Sequence, residues 1–158
     1  EEVGASCFIH VPETRARNGL KIVFPSESTV KQSKLGARGA GMIILRKDTY
    51  LSPKFPKHLL CDYNSNQYSQ DGHLAHSKIF VHCDSSHTAQ WMYIGSHNFS
   101  GAALGRLQKK GTQLCCSNYE VGIVLLKDLA QANTCHLPFK IPVDPYDANT
   151  VPHLLDCE

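Results

Sequence analysis

His76 and Lys78 stand two residues apart in QDGHLAHSKIFVHC, Gln70 to Cys83. On an extended strand that spacing puts an imidazole and an ammonium on one face. An imidazole can exchange a proton with a leaving oxygen, and an ammonium beside it can neutralise a non-bridging oxygen of a phosphate. With nine histidines and eleven lysines in 158 residues, chance alone supplies about 0.6 His-x-Lys pairs, so the pair gains weight only from its neighbours. Ile79 and Val81 take the opposite face, which leaves the polar pair on a consistent side. The next strand ends in GSHNFSG, where Ser96, Asn98 and Ser100 recur at a period of two. Ser100 is a favoured N-cap, and the first N–H groups of a helix are open to an anion. A histidine, a lysine, an amide, a hydroxyl and a helix start together suit the holding of a phosphate.

The elements that must position these residues follow from the apolar runs. GLKIVFPS, Gly19 to Ser26, reads as a short buried strand ended by Pro25. Glu27 to Gly39 reads as a weak helix closing in a glycine-rich turn, and AGMIILR, Ala40 to Arg46, as a second strand. Residues 48–72 are polar and proline-bearing, a loop with one turn of helix near His58–Asp62. His76 to His82 and Trp91 to Ser96 are strands joined by about eight polar residues, the pattern of antiparallel neighbours. SGAALGRLQKK, Ser100 to Lys110, reads as a helix stopped at Gly111, although Gly101 and Gly105 cost it about 1 kcal/mol each relative to alanine. EVGIVLL, Glu120 to Leu126, is the most continuous apolar run and predicts a central strand buried on both faces. The proline-rich tail from His136 onward predicts extended chain. Together these make an α/β fold: a mixed sheet flanked by helices, in one domain spanning residues 1–158.

Composition adds bounds. The net charge of +2 only weakly favours an anionic partner. Seven cysteines, an odd number without a Cys-x-x-Cys pair, predict reduced thiols in a cytosolic or nuclear setting. No apolar run reaches membrane-spanning length and no signal peptide opens the chain, so no membrane partner is expected. The first residue is Glu1 and strand-like sequence begins almost at once, as in a piece of a longer protein.

HSKIF, then IGSHNFSGAALG, then GTQLCCSNYEVGIVLL, in this order and spacing, resembles the C-terminal catalytic half of the tyrosyl-DNA phosphodiesterases, the DNA-repair branch of the phospholipase D superfamily. The likeness is close from His76 to about Leu126 and looser over KIVFPSESTV, GARGAG and PVDPYD. The superfamily signature places an Asp four residues after the Lys. Here that position is Cys83, with Asp84 one place off, and Asn98 matches the downstream Asn that this branch uses instead. Asp84 is therefore given no catalytic role. A tryptophan common in the family after this Asn is Leu104 here.

The resemblance implies a phospholipase D-like half-domain and a phosphodiester hydrolase acting on 3′-phosphotyrosyl and other 3′-blocked DNA ends through a phosphohistidine intermediate. His76 would be the general acid, then the general base; Lys78 would bind the phosphate oxygens; Asn98 would complete the phosphate pocket. Glu120 would orient His76 through its second ring nitrogen, and Ser100 would contact the DNA backbone. Ser26 and the GARGAG turn are read first as turn chemistry. The implied partner is DNA, single-stranded or as an adducted 3′ end, the implied location is nuclear, and no metal or cofactor is needed. The family's nucleophile comes from a first His-x-Lys half. No histidine other than His76 has a lysine two residues on, so that half is expected in missing N-terminal sequence of the same protein, and the chain alone should have little turnover.

Two other readings stand beside this one. His73, His76, His82, Cys83 and His87 suggest a small zinc-binding module, and His82 with His87 has the spacing of a ligand pair. Against it, no matching cysteine pair lies upstream, and adjacent His82 and Cys83 point to opposite faces of a strand. A relative that binds DNA ends without cleaving them is the other, and the intact His76, Lys78 and Asn98 argue against it.

Overall fold

The computed structural model describes residues 7–11, 19–63 and 72–155. Six strands form one mixed sheet in the order β3-β2-β1-β4-β5-β8. They are β1 (Cys7–His10), β2 (Leu20–Val23), β3 (Leu60–Cys61), β4 (Lys78–Cys83), β5 (Ala89–Gly95) and β8 (Gly122–Leu126). Between β5 and β8 the chain makes a separate hairpin, β6 (Arg106–Gln108) with β7 (Gln113–Cys115). Three short helices complete the described fold: α1 (Glu27–Gln32), α2 (Lys47–Leu51) and α3 (Lys127–Ala132). The expected α/β mixed sheet is present.

Alternation along the central strands divides the core in two. Cys7, Ile9, Ile79, Val81, Cys83 and Met92 face one side, where Ala130 of α3, Leu137 and Phe139 cover them. Phe8, Ile22 and Phe24 face the other, against Ile43, Leu45, Phe55 and Leu59. Each fully buried side chain of this size contributes about 1.5–3 kcal/mol. β1 and β4 run parallel, and β4 and β5 are antiparallel as the short polar connection predicts. The tail is extended and pinned to the β2–β3 side, where the Tyr146 hydroxyl donates to the Phe24 carbonyl at 2.8 Å.

Several elements differ from the sequence reading. The helix expected over Glu27–Gly39 ends at Gln32, capped at its start by Ser26, whose Oγ accepts from Thr29 N at 3.0 Å. Ala40–Arg46 is no strand. Its start closes the 3₁₀ turn Gly36–Ala40, and Ile43 and Leu45 then cover the sheet face rather than join the ladder, with Arg46 bridging Leu155. An apolar run reports burial, and burial under a sheet looks the same in sequence as burial within one. The 3₁₀ turn Lys57–Leu59 supplies the turn expected near His58. The polar stretch 64–71 and Cys157 lie outside the described residues.

The helix expected at Ser100–Lys110 is one turn followed by the β6–β7 hairpin. Gly105 takes φ +88°, Lys109 and Lys110 take φ 48° and 59°, and the basic pair occupies the hairpin tip. Two glycines within one helical repeat let the hairpin pairing win over a poor helix. β8 is the edge of the sheet, not its centre, and Ile123 (59 %), Val124 (57 %) and Leu126 (68 %) are exposed. Among the described residues no element covers them. Among the described residues all six cysteines are free thiols.

Asp62 joins the α1 start to the sheet. Its carboxylate accepts from Ser26 N at 3.0 Å, from Thr29 Oγ1 at 2.9 and 3.0 Å, and from Tyr63 N at 2.7 Å. Ser26 is almost fully buried, so its N–H has no water to turn to. Asp62→Ala is expected to cost about 1–3 kcal/mol by stranding these donors, read as a lower denaturation midpoint at unchanged slope; an unchanged midpoint would contradict it.

Candidate active site at one end of the sheet

The register brings the site together. Lys78 at the start of β4 pairs with Gly95 at the end of β5, and Gly95 pairs with Gly122 at the start of β8. One end of the sheet therefore collects the segment entering β4, the loop leaving β5 and the segment entering β8. These carry His76, then Ser96 to Ser100, then Glu120. The hydroxyl of Ser96 ties the last two segments: it accepts from Val121 N at 3.0 Å and donates to Glu120 Oε2 at 2.5 Å.

Lys78 is 5 % exposed, one of few polar side chains in the interior. Its Nζ lies 2.9 Å from His76 Nε2 and 3.1 Å from Nδ1, and it donates to the His76 carbonyl at 2.9 Å. Burial pushes the Lys78 ammonium below the ordinary lysine range, while Cys7 and Glu120 draw it back up. Cys7 sits on the neighbouring strand with its thiol pushed up to about 12 by burial, so a neutral sulfhydryl lies near the ammonium. Lys78 is thus a buried cation with little direct compensation, which favours an anionic ligand.

His76 precedes β4 rather than belonging to it, and its ring reaches the Lys78 ammonium from the rim. Its pKa falls below the ordinary imidazole value, first through partial burial and then through the Lys78 charge; a hydrogen bond to the Met42 backbone carbonyl opposes both. The Glu120 carboxylate is held by Ser96 and by Asn118 Nδ2 at 3.0 Å, which keep its pKa low, with weaker attraction from His97 and Lys78. The proposed Glu120–His76 pairing is therefore not made within this chain. Glu120 is near enough for its negative charge to favour the charged form of Lys78.

Asn98 lies three residues past Gly95, on the loop at this same end. The loop is fixed on both sides of it: Phe99 packs on Phe8 with ring centroids 4.5 Å apart, and Ser100 N donates to the Asn98 carbonyl at 2.8 Å. Ser100 is buried, and its Oγ accepts from Ala103 N at 3.2 Å while its carbonyl accepts from Leu104 N. Its capping role holds for a single turn, too short to offer the helix start that the sequence suggested. Preceding Asn98, His97 receives the Tyr93 hydroxyl on Nδ1. Tyr93 lies across the Gly95–Gly122 pair, where a Cβ on Gly95 would meet the Val121 carbonyl at 2.7 Å. These supports escaped the sequence reading; the recurrence of Ser96, Asn98 and Ser100 was the one signal for Ser96.

Other candidates lie elsewhere. Asp84 accepts from Ser86 N, Thr88 N and Gln90 Nε2 at the far end of β4, where it organises the β4–β5 turn. Ser26 is the α1 cap, beside a cleft of about 390 Å³ that Asp62, Asp144 and Asp147 line. Three carboxylates there oppose a phosphate ligand. The zinc cluster does not assemble: Cys83 is fully buried on the opposite face from His82, and among the described residues no three His, Cys, Asp or Glu side chains converge.

A family model described as tyrosyl-DNA phosphodiesterase matches residues 5–147. A probable tyrosyl-DNA phosphodiesterase from Caenorhabditis elegans is 30 % identical over 87 % of this chain and 30 % of its own length. Tyrosyl-DNA phosphodiesterase 1 from Drosophila melanogaster is 24 % identical, covering 92 % of this chain and 28 % of its own length. The crystal structure of the yeast tyrosyl-DNA phosphodiesterase superposes with a TM-score of 0.63 at 26 % identity, over 85 % of this chain and 36 % of that one. The chain therefore spans about a third of the length of the relatives it matches.

Proposed function

The chain belongs to the tyrosyl-DNA phosphodiesterase family, and from that premise we propose that it forms the acid–base half of a hydrolase that clears 3′-phosphotyrosyl adducts from DNA in the nucleus. The observation that carries this reading is the buried Lys78 ammonium held 2.9 Å from the His76 ring, at the sheet end that also bears Asn98. A phosphodiester seated there has one non-bridging oxygen on Lys78 and another on the Asn98 amide, while the buried Ser100 hydroxyl, engaged by Ala103 N, steadies the loop that carries Asn98. Side chains supply all the chemistry, so cleavage should persist in EDTA.

The nucleophile is a histidine in sequence outside this chain. Two observations support that assignment: the chain holds a single His-x-Lys, and it covers about a third of its relatives. Exposed Val121, Ile123, Val124 and Leu126 along the β8 edge offer that sequence an apolar surface. In the first step the nucleophilic imidazole nitrogen bonds to phosphorus, the bond from phosphorus to the tyrosine oxygen breaks, and His76 gives its proton to that oxygen. In the second, His76 takes a proton from water, the water oxygen bonds to phosphorus, and the phosphorus–nitrogen bond breaks, releasing a 3′-phosphate end.

The pH dependence tests the roles. His76 must be protonated for the first step, and its pKa in the free site lies below the ordinary 6.5 because of burial and Lys78. The protonated fraction falls as pH rises through that value. The alkaline limb of kcat/KM for a protein uniting this chain with its nucleophilic half should therefore lie below 6.5. The assay is release of tyrosine from a 3′-phosphotyrosyl oligonucleotide. Absence of cleavage by the united protein would overturn the proposal, and a rate indifferent to pH across this range would remove His76 from the acid role.

A further inference from the structure

The far end of β4 holds a second histidine arrangement. Parallel pairing of β1 and β4 sets His10 beside His82, 72 positions away in the chain. Their Nδ1 atoms are 2.9 Å apart, and the rings meet edge to edge with centroids 5.0 Å apart and planes 20° from parallel. His10 is exposed and His82 half-buried, so the gap between the nitrogens is open to solvent. The two ring nitrogens meet at one gap, and a metal ion seated on two neutral imidazoles there binds both lone pairs.

We infer that His10 and His82 form a binding site for a divalent transition metal of square-planar or octahedral preference, the nickel and copper class. Metal–nitrogen bonds of about 2.0–2.1 Å closing a 2.9 Å gap subtend about 90°, the cis angle of those geometries and narrower than a tetrahedral one. Imidazole donors suit the same metals. No third His, Cys, Asp or Glu converges on the pair among the described residues, so water fills the remaining positions and the ion exchanges readily. The arrangement differs from the zinc set that the sequence suggested. Cys83 is buried on the other face, and His87 lies in the β4–β5 turn with φ 61°. It is also independent of the phosphodiesterase reading, since β4 runs its length between this pair and the Lys78 end.

The chain carries its own reporter. Trp91, the one tryptophan, pairs with His82 across β4 and β5, with ring centroids 5.8 Å apart. A paramagnetic ion on the histidine pair lies close enough to quench it. Nickel chloride is the probe, because copper would oxidise the exposed thiols of Cys115, Cys116 and Cys135. Titration of the chain with Ni²⁺ should quench Trp91 saturably, with calorimetry giving one ion per chain. His10→Gln and His82→Gln should each weaken binding at least about ten-fold, with circular dichroism showing the fold intact. If His82→Gln disturbs the sheet, His10→Gln at its exposed position decides alone. Absence of saturable quenching, or an unchanged midpoint in His10→Gln, would overturn the site.

Discussion

Replacing Lys78 by alanine is expected to lower cleavage of a 3′-phosphotyrosyl strand by at least about 10²–10³-fold, the scale of losing one preorganised charge-stabilising donor. The effect should fall on kcat as well as on binding, because charge on the phosphoryl oxygens is redistributed as the phosphorus–oxygen bond breaks. Lys78 is 5 % exposed and directed at the site by the His76 carbonyl, so water cannot replace its ammonium in place. Lys78→Arg should not rescue the rate, since a planar guanidinium does not reproduce a point charge held against the His76 ring and carbonyl. Steady-state kinetics on the united protein check both variants. A rate within a few-fold of the native one for Lys78→Ala would remove lysine from the phosphate pocket.

His76→Ala is expected to act on the two steps unequally. In the proposed first step His76 protonates a phenolic oxygen whose conjugate acid has a pKa of about 10, a moderate leaving group even unaided. In the second it must activate water, whose pKa is about 15.7, and there the missing base is felt most. Each lost acid–base role costs about 10²–10⁴-fold. The variant should therefore slow turnover and accumulate the covalent protein–DNA adduct, visible as a shifted band after denaturation that is sensitive to acid. Lys78→Ala should show no such band. Slow turnover without adduct would place His76 outside the second step.

The contact between His76 and Lys78 is legible in the sequence because its signal is local. His-x-Lys followed by a spaced Asn and an apolar strand survives without knowledge of the fold, and the structure brings His76 and Lys78 into contact. Glu120 was legible as a member of the site end but not in its partner. The NYE segment leads into β8, and only the register of β8 against β5 shows that its carboxylate reaches Ser96 and Asn118.

The fold errors share a cause. Ala40–Arg46 and β8 are both apolar runs, and apolarity records burial without naming what does the burying. Ile43 and Leu45 are buried beneath the sheet rather than in it. β8 is as apolar as a central strand yet lies exposed at the edge. Ser100–Lys110 failed for another reason: its capping signals were real, but the cap closes one turn and the basic pair serves a hairpin. End signals without a good helical middle do not make a helix.

The most direct measurement is fluorescence anisotropy of labelled single strands that differ only in the 3′ end, phosphotyrosyl against hydroxyl, titrated with this chain. A buried ammonium, an imidazole and an amide gathered around one phosphoryl group should bind the phosphotyrosyl end at least about ten-fold more tightly, and Lys78→Ala should erase the difference. Equal affinities for the two ends, or a preference that survives loss of Lys78, would contradict the account.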